Sequence, residues 1–311
     1  PAHGACSFIK TATLKRMGGY NTLFDAQDGY ELWLNLLNKK SIGSLQKPLF
    51  FYRQHEKSMS LNENRILEAR RKIKRFFVKK NKLLKGKKIF LIIGARNHNN
   101  ILFKKLNDKY LIDHCLSTVK KLKNISKIFI STDDEKILNY NSLKYKFDAY
   151  KRPKELSIDF VTIDNVVYDA LNFINKNENY KPDIVVFVNS NAPCVRAEDI
   201  QKVIDTLVIF KSDSVISVYE DFDLHYKHTA QGLKKISERM HYQLRIHRDA
   251  LFVDNRCIRA SLKKVIRKDS MLGKKVGHCL MRKMESINIK NHYDFWLLNK
   301  YLKVRKKFEN I

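Results

Sequence analysis

The chain has 311 residues, 44% of them hydrophobic, which suits one large domain or two smaller ones with packed cores. The sequence contains no run of about 18 apolar residues, so no membrane span is predicted. The five scattered cysteines argue against a zinc site or a disulfide framework and favour a reducing cytoplasm. The formal net charge of +29 attracts anions. It comes mostly from dispersed lysines without a base-reading motif, so we expect no specific nucleic-acid partner.

Residues 1–60 are a first segment with short motifs in a defined order. A predicted helix ends in Gly18–Tyr20, a second helix follows Asp28, and a predicted strand contains Tyr52–His55. These motifs resemble the C-terminal part of a family 2 glycosyltransferase with the GT-A fold. The resemblance implies that Asp28 is the base that deprotonates the acceptor hydroxyl. It also implies that the nucleotide-binding half precedes Pro1, so that residues 1–60 alone are an inactive remnant.

Residues 61–87 are predicted to form a basic helical linker. Ile66, Ala69, Ile73 and Phe76 recur at helical spacing, with lysines and arginines around them. The apolar stripe is narrow, so we expect a solvated helix between two domains. The alternative is a peripheral attachment of its charges to an acidic membrane surface.

Residues 88–304 alternate between short apolar strands and amphipathic helices. The predicted strands begin at Ile89, Lys127, Asp183 and Ser214. This alternation predicts an α/β domain with a mostly parallel sheet and right-handed crossovers. Ser157 or Asp159 is expected to cap the helix that precedes the strand at Asp183. Ligands of such sheets bind beyond the carboxyl ends of the strands, here after Gly94 and after Ser131.

The region 220–277 lacks this alternation and is rich in His and Arg. We interpret it as an insertion that contributes substrate contacts or a dimer arm, with one short apolar run at Leu251–Val253. Its histidines lack the spacing of metal ligands and are expected to lie scattered on the surface.

Several motifs of residues 88–304 occur in the order found in one enzyme family. They are Gly94–Arg96, Leu111–His114, Ser131–Glu135, Lys151–Leu156, Asn191–Pro193 with Arg196–Ile200, and Asn288–Phe295. Together they resemble cytidylyltransferases of the CMP-N-acetylneuraminate synthetase type, which make CMP-activated acidic sugars. The resemblance implies a Rossmann-like sheet with flanking helices, of the nucleotide-diphospho-sugar transferase type. It also implies CTP and an acidic sugar as substrates and a homodimer as the assembly.

The reaction implied is attack by a sugar hydroxyl on the α-phosphate of CTP, which releases pyrophosphate. Arg96 stands where the family places its triphosphate arginine, and Lys104 is the candidate that replaces a family lysine; we predict both as catalytic. The predicted nucleotide-binding residues are Gly94, Ala95, Arg96, Ser131 and Asp133. The predicted sugar-binding residues are Asn189, Asn191 and Arg196.

Two departures from the family pattern concern the phosphates and the metal. The loop after Arg96, Asn97–Phe103, is shorter than the family's and lacks its glycines and its Lys-Asn pair. The family's metal-binding Ile-Asp-Ile-Asp is replaced by Ile287–Lys290, so that Asn288 and Lys290 stand where aspartates are expected. These replacements make Mg²⁺, the cofactor that the resemblance implies, doubtful, and they leave the metal ligands unknown.

The sequence leaves two functional hypotheses open. One is a CMP-sugar synthetase-like nucleotidyltransferase of surface-glycan biosynthesis (lipopolysaccharide or capsule), joined to a glycosyltransferase. The other is a catalytically inactive relative that keeps the fold as a binding or scaffold domain. Arg96 and Ser131–Asp134 favour the enzyme, whereas the altered loop and Lys290 favour the inactive relative.

Overall fold

The computed structural model describes residues 7–24, 27–37, 43, 47, 63–158, 160–236 and 251–308. The strand expected around Tyr52–His55 and the alternative helix cap Asp159 lie outside the described residues. Among the helices of the described part, none is long and apolar enough to cross a membrane.

The secondary structure follows the predicted alternation. The strands are β1 (Ile89–Ala95), β2 (Lys105–Leu106), β3 (Lys109–Tyr110), β4 (Lys127–Thr132), β5 (Asp148–Lys151), β6 (Ile184–Asn189), β7 (Ser214–Asp221), β8 (Tyr226–Thr229), β9 (Gly232–Lys235), β10 (Leu251–Leu262) and β11 (Val276–Leu280). The helices are α1 (Thr11–Arg16), α2 (Asp28–Leu36), α3 (Glu63–Lys80), α4 (Leu111–Lys120), α5 (Glu135–Lys144), α6 (Ile163–Glu178), α7 (Ala197–Ile209) and α8 (His292–Phe308).

The central sheet has seven strands in the order β11-β7-β10-β6-β1-β4-β5. β1 pairs in parallel with both β4 and β6, and β4 pairs in parallel with β5. β10 runs antiparallel to its neighbours β6 and β7. The predicted α/β class with a mostly parallel sheet is therefore confirmed.

Both faces of the sheet are buried, which explains the continuous apolar strand sequences. In β1, Leu91 and Ile93 pack into a cluster with α4 and α7, whereas Phe90 and Ile92 pack into a second cluster with α6. Successive side chains of a strand point to opposite faces, so a strand between two helical layers needs apolar residues at every position. The two neighbouring parallel strands follow the same rule.

β10 corrects the interpretation of region 220–277 as an insertion. The twelve-residue strand lies inside the sheet, between β6 and β7, and only the stretch before it contains the small β8–β9 hairpin. Its pairing with β7 is interrupted between Asp254 and Arg259, where Arg256 adopts a left-handed φ of 55°. The bulge contains the polar residues 254–256, which interrupt the apolar sequence pattern by which a strand is predicted.

The cap of α6 also differs from the expectation. Thr162 caps the helix, with its side chain accepting from the Asn165 backbone N–H in a capping box. Ser157, the predicted cap, lies in a short 3₁₀ turn and accepts a hydrogen bond of 2.8 Å from Arg152 Nε instead. The true cap fits the sequence equally well, because Thr and Ser are both favoured at this position.

The basic helix α3 lies against the α/β domain rather than in solvent. Ile73, Phe77 and Val78 are buried in a cluster with Leu34 of α2 and Ile209 of α7. The expectation of a solvated linker is therefore wrong for α3, because the packed face of a helix can include basic residues as well as apolar ones. Two of its basic side chains bind α7 directly.

Lys74 and Arg75 make these contacts with α7. Lys74 Nζ donates to Thr206 Oγ1 at 3.0 Å, and Arg75 Nη1 pairs with Asp205 Oδ1 at 3.2 Å. The long aliphatic stems of such side chains cover apolar surface while their polar ends find partners. The face of α3 that packs on the domain is therefore wider than its apolar residues alone, because it includes Lys74 and Arg75.

Replacing Ile73 tests whether α3 is part of the folded unit. The side chain is fully buried, so Ile73→Ala should lower the free energy of unfolding by about 2–5 kcal/mol. Lys72→Ala, at the exposed neighbouring position, should change it by no more than about 0.5 kcal/mol. Urea unfolding measures both. A similarly small effect for both variants would show that α3 does not pack on the domain.

Candidate active site

Three of the predicted site residues form one row across the sheet. The parallel registers of β4, β1 and β6 pair Gly94 with Ser131 on one side and with Asn189 on the other. The row lies at the carboxyl ends of the strands, where α/β sheets bind their ligands. The sheet itself therefore brings together residues that are far apart in the sequence.

A cleft of about 180 Å³ opens above this row. Its polar walls come from Arg96, Arg152, Asn189 and Asn191, with Gly94 at its floor. Apolar residues complete it on the α6 side, namely Leu156, Ile158, Val161, Ile163, Val166 and Phe187. A cleft in which an apolar wall faces several convergent polar groups is typical of a small-molecule site.

Gly94 is required by the close approach of an aromatic ring. A Cβ atom at this position would lie 2.6 Å from Cε2 of Phe187, far inside normal contact distance. Phe187 is buried on β6 and its ring forms part of the cleft wall. The glycine thus lets the ring pack over β1, which shapes the cleft.

Two guanidinium groups face the cleft. Arg152 follows β5 and is almost fully buried, with its Nη1 directed to the Ser131 carbonyl oxygen at 3.5 Å and its Nη2 to Asp133 Oδ1 at 3.4 Å. Burial lowers the pKa of Arg152, and the positive charge of Arg96 acts in the same direction. A bound anion would offset both effects, because it stabilises the charged form.

The loop after Arg96 folds into a compact turn. Asn97 organises it: its Nδ2 donates to Asp134 Oδ2 at 2.5 Å, and its Oδ1 accepts from the Leu102 N–H at 3.0 Å. Asn99 and Asn100 adopt left-handed φ values of 51° and 54°. Asn tolerates this region better than most residues, so the loop makes a tight turn without glycine.

The same turn removes two loop positions from the cleft. Ile101 and Leu102 are buried in the core, at 6% and 0% exposure. These apolar residues anchor the turn. The loop between Arg96 and Lys104 also contains no Lys or Arg.

Asn191 of the cleft lining contacts the segment in which the resemblance implies the metal ligands. Asn191 accepts at its backbone oxygen from the Ile289 N–H at 2.9 Å, which ties the 287–290 segment to the end of β6. The side-chain oxygens of Asn191 and Asn288 are buried and accept no hydrogen bond from any described residue. Both oxygens are neutral amide acceptors.

These residues do not fit a protein-held Mg²⁺. The described part of the chain contains no group of three or more His, Cys, Asp or Glu residues arranged for a metal ion. Asn288 and Lys290 supply an amide and an ammonium at the positions of the implied aspartates. Mg²⁺ prefers carboxylates with water in octahedral geometry, so this donor set is a poor match.

Five of the site residues predicted in 88–304 lie outside the cleft lining, and one of them, Ser131, is fully buried near the end of β4. Lys104 Nζ is 3.2 Å from His292 Nδ1 at the start of α8. Arg196 donates hydrogen bonds from Nε and Nη2 to the Asp199 carboxylate, both at 3.0 Å, and these bonds raise the pKa of Arg196. Ala95 is buried at the end of β1. Asp133 reaches the cleft indirectly, through Arg152.

Sequence reasoning missed Arg152 and Phe187 as cleft residues. Arg152 was inside a recognised motif, and its position immediately after β5, a parallel strand, was the available signal. Phe187 had no such signal, because it reads as one more apolar residue of a buried strand. Its contact with Gly94 becomes visible only in three dimensions.

The comparisons with known proteins agree with this fold. The family model described as Cytidylyltransferase matches residues 102–306, more than half of the chain. The chain therefore belongs to the cytidylyltransferase family. This match begins at residue 102, and the relation of residues 1–60 to glycosyltransferases stays a prediction.

A curated relative is Post-translational flagellin modification protein B of Campylobacter coli. It is 29% identical over 127 residues, which are 40% of this chain and 53% of the relative. The chain thus matches about half the length of that relative.

Two solved structures share the fold. One is 4-diphosphocytidyl-2C-methyl-D-erythritol synthase from Anaerococcus prevotii DSM 20548, at 18% identity and a TM-score of 0.52, covering 72% of this chain and 99% of that one. The other is CMP:2-keto-3-deoxy-manno-octonic acid synthetase complexed with CTP, at 10% identity and a TM-score of 0.51, covering 70% and 99%. At such low identity these likenesses establish the fold alone.

The contact between Gly94 and Phe187 predicts a compensating pair of substitutions. Gly94→Ala should lower the free energy of unfolding by about 1–3 kcal/mol, because the new methyl group overlaps the ring. Phe187→Leu in the same chain should recover part of this loss. Urea unfolding of the single and double variants gives the coupling energy. Strictly additive effects would contradict the steric account.

Proposed function

We propose that the chain is a CMP-sugar synthetase-like nucleotidyltransferase that joins CTP to an acidic sugar and releases pyrophosphate. The observation that carries this proposal is the pair of guanidinium groups, Arg96 and Arg152, in one cleft at the carboxyl ends of parallel strands. Guanidinium groups bind phosphate oxygens with two parallel hydrogen bonds. Membership of the cytidylyltransferase family supports the choice of nucleotide.

In this proposal the cleft residues divide the work between phosphate and sugar. Arg96 binds the triphosphate and stabilises the charge that develops as the sugar hydroxyl attacks the α-phosphate. Arg152, held by Asp133 and Ser157, adds a second fixed positive charge. Asn189 and Asn191 provide hydrogen-bonding groups for the sugar.

The choice of an acidic sugar rests on resemblance and on the names of similar proteins. The CMP:2-keto-3-deoxy-manno-octonic acid synthetase that shares the fold is named for an acidic sugar and was solved with CTP. We place the reaction in surface-glycan biosynthesis, as the family resemblance implies. The four described cysteines are buried and form no disulfide, which supports a location in the cytoplasm. A homodimer and peripheral membrane association stay predictions.

We further propose that residues 1–60 belong to a family 2 glycosyltransferase, which would use a sugar next to the domain that activates one. Asp28, the expected base, begins α2. A chain that includes the nucleotide-binding half of such an enzyme would transfer sugar to an acceptor, and Asp28→Asn would abolish that transfer. Persistent transfer by this variant would contradict the assignment.

A catalytically inactive binding domain is the second candidate. Two observations favour it: the burial of Ile101 and Leu102 in the shortened loop, and the replacement of metal ligands at Asn288 and Lys290. This candidate keeps the cleft as a nucleotide-binding or scaffold surface without turnover. It therefore predicts that no sugar causes release of pyrophosphate.

An assay of pyrophosphate release separates the two candidates. With CTP, Mg²⁺ and a panel of acidic sugars, the enzyme releases pyrophosphate, and Arg96→Ala should slow release about 100-fold because one charge-stabilising donor is lost. Arg267→Ala is the matched control, since Arg267 is exposed and does not line the cleft. Absence of release with every sugar would favour the inactive relative.

Removal of divalent metal tests the donor set of the cleft. Because Arg96 and Arg152 supply the anion contacts and no described carboxylate cluster holds Mg²⁺, CTP affinity should fall by less than about tenfold in EDTA. Calorimetric titration with CTP, in Mg²⁺ and in EDTA, measures this. Complete loss of CTP binding in EDTA would show that a bound metal ion is essential.

A further inference from the structure

A second cavity lies where α2 and α3 meet α7 and β11. Its volume is about 290 Å³, larger than that of the nucleotide cleft. Its main lining residues are Tyr30, Arg70, Lys74, Lys202, Phe210 and His278. None of its lining residues also lines the cleft, so the two are separate sites.

The charge of this cavity has one sign. Arg70, Lys74 and Lys202 contribute three cationic side chains, and no Asp or Glu is among the lining residues. The nearest carboxylates of α7 are already engaged. Asp205 pairs with Arg75 at 3.2 Å, and Asp199 with Arg196 at 3.0 Å.

Lys74 and Lys202 are buried, at 8% and 7% exposure. Lys74 Nζ donates to Thr206 Oγ1 at 3.0 Å, and Lys202 Nζ donates to the Leu280 carbonyl oxygen at 2.6 Å. Within the described part of the chain, neither ammonium group forms an ion pair. A buried charge without a counter-charge is destabilising, and each ammonium group has three donors to satisfy.

Aromatic and aliphatic groups form the rest of the wall. Phe210 lies under the Lys74 ammonium group at 5.5 Å from its ring centroid, and Tyr30 lies under Arg70 at 5.8 Å. Leu67 and Leu280 add aliphatic surface. The cavity therefore combines a strongly positive region with an apolar surface that accepts a flat or compact organic group.

We propose that this cavity binds a phosphate-bearing small molecule, with Lys74, Lys202 and Arg70 around the phosphate and Tyr30 and Phe210 against the organic part. A phosphate dianion balances more of the three positive charges than a single carboxylate does, and its oxygens accept from several donors at once. Since α2 and α3 supply three of these five residues, the ligand would link the N-terminal segment to the cytidylyltransferase domain. This inference does not depend on the proposed reaction.

Calorimetric titration of the full chain tests the site with two probes, inorganic phosphate and phenyl phosphate. Both should bind, and phenyl phosphate should bind more tightly because its ring covers the apolar wall. Lys74→Met keeps the aliphatic stem but removes the charge, and it should weaken phenyl phosphate binding by at least about tenfold. Equal binding by the wild-type chain and this variant would overturn the proposal.

Control variants separate this cavity from the cleft and from surface charge. Lys72→Met removes an exposed lysine of the same helix and should leave the Lys74-dependent binding unchanged. Arg96→Ala alters only the cleft and should do the same, whatever its effect on CTP. If Lys74→Met does not fold, Lys202→Met replaces it, with the same expected loss. Binding of citrate but of neither phosphate probe would contradict the ligand class.

The pH dependence of stability gives an independent readout. Burial lowers the pKa of Lys74 from its ordinary value of 10.5 to about 8. The charges of Lys202 and Arg70 also lower this pKa, whereas Cys279 and Asp205 raise it. Tyr30 and His278 also line the cavity, and Cys279 is the buried neighbour of His278 in β11. Burial raises the pKa of Tyr30 to about 12, lowers that of His278 and raises that of Cys279.

The sign of the effect follows from proton binding. Between pH 8 and 10.5 the unfolded state holds the Lys74 proton more than the folded state does, so Lys74 contributes a rise of stability with pH in this window, whereas the raised pKa of Cys279 contributes a fall. The Lys74 contribution is the difference in slope between the wild-type chain and Lys74→Met, and it should be smaller with saturating phenyl phosphate, which stabilises the charged lysine. Denaturant unfolding of both chains across this window measures it. A slope difference that phenyl phosphate leaves unchanged would contradict binding at Lys74.

Discussion

The parallel pairing of β1 with both β4 and β6 is the constraint on which the site depends. Its register sets Ser131, Gly94 and Asn189 in one row, and the missing side chain of Gly94 lets the Phe187 ring pack over the row. The strands are apolar on both faces because helices cover both. Their polar side chains are therefore confined to the strand ends, so the buried sheet produces a polar cleft at one edge.

The cleft differs in chemistry from the one implied by the family resemblance. Positive charge near the expected triphosphate comes from Arg96 and from the buried Arg152, whereas the shortened loop contributes a tight turn built by asparagines. The implied metal carboxylates are replaced by an amide and an ammonium. A site with fixed cations depends less on a divalent ion to bind an anion. Whether these cations can also stabilise the transition state without metal carboxylates decides between an enzyme and an inactive relative.

The sequence predicted the features that follow from local periodicity and from motifs at strand ends. It grouped Gly94, Arg96, Asn189 and Asn191 as strand-end residues, and in the structure these four line one cleft because parallel strands end at a common edge. It failed where three-dimensional contact decides. The bulge in β10 interrupts its apolar pattern, and the burial of Lys74 in the α3–α7 contact depends on Thr206, which is 132 residues away in sequence. Neither feature leaves a periodic signal.

A structure of the chain with CTP tests the central claim most directly, because it locates the nucleotide without requiring turnover. The account predicts the triphosphate in the cleft above Gly94, with phosphate oxygens within hydrogen-bonding distance of the Arg96 and Arg152 guanidinium groups. A triphosphate bound elsewhere, or in the cleft without contact to either arginine, would contradict it.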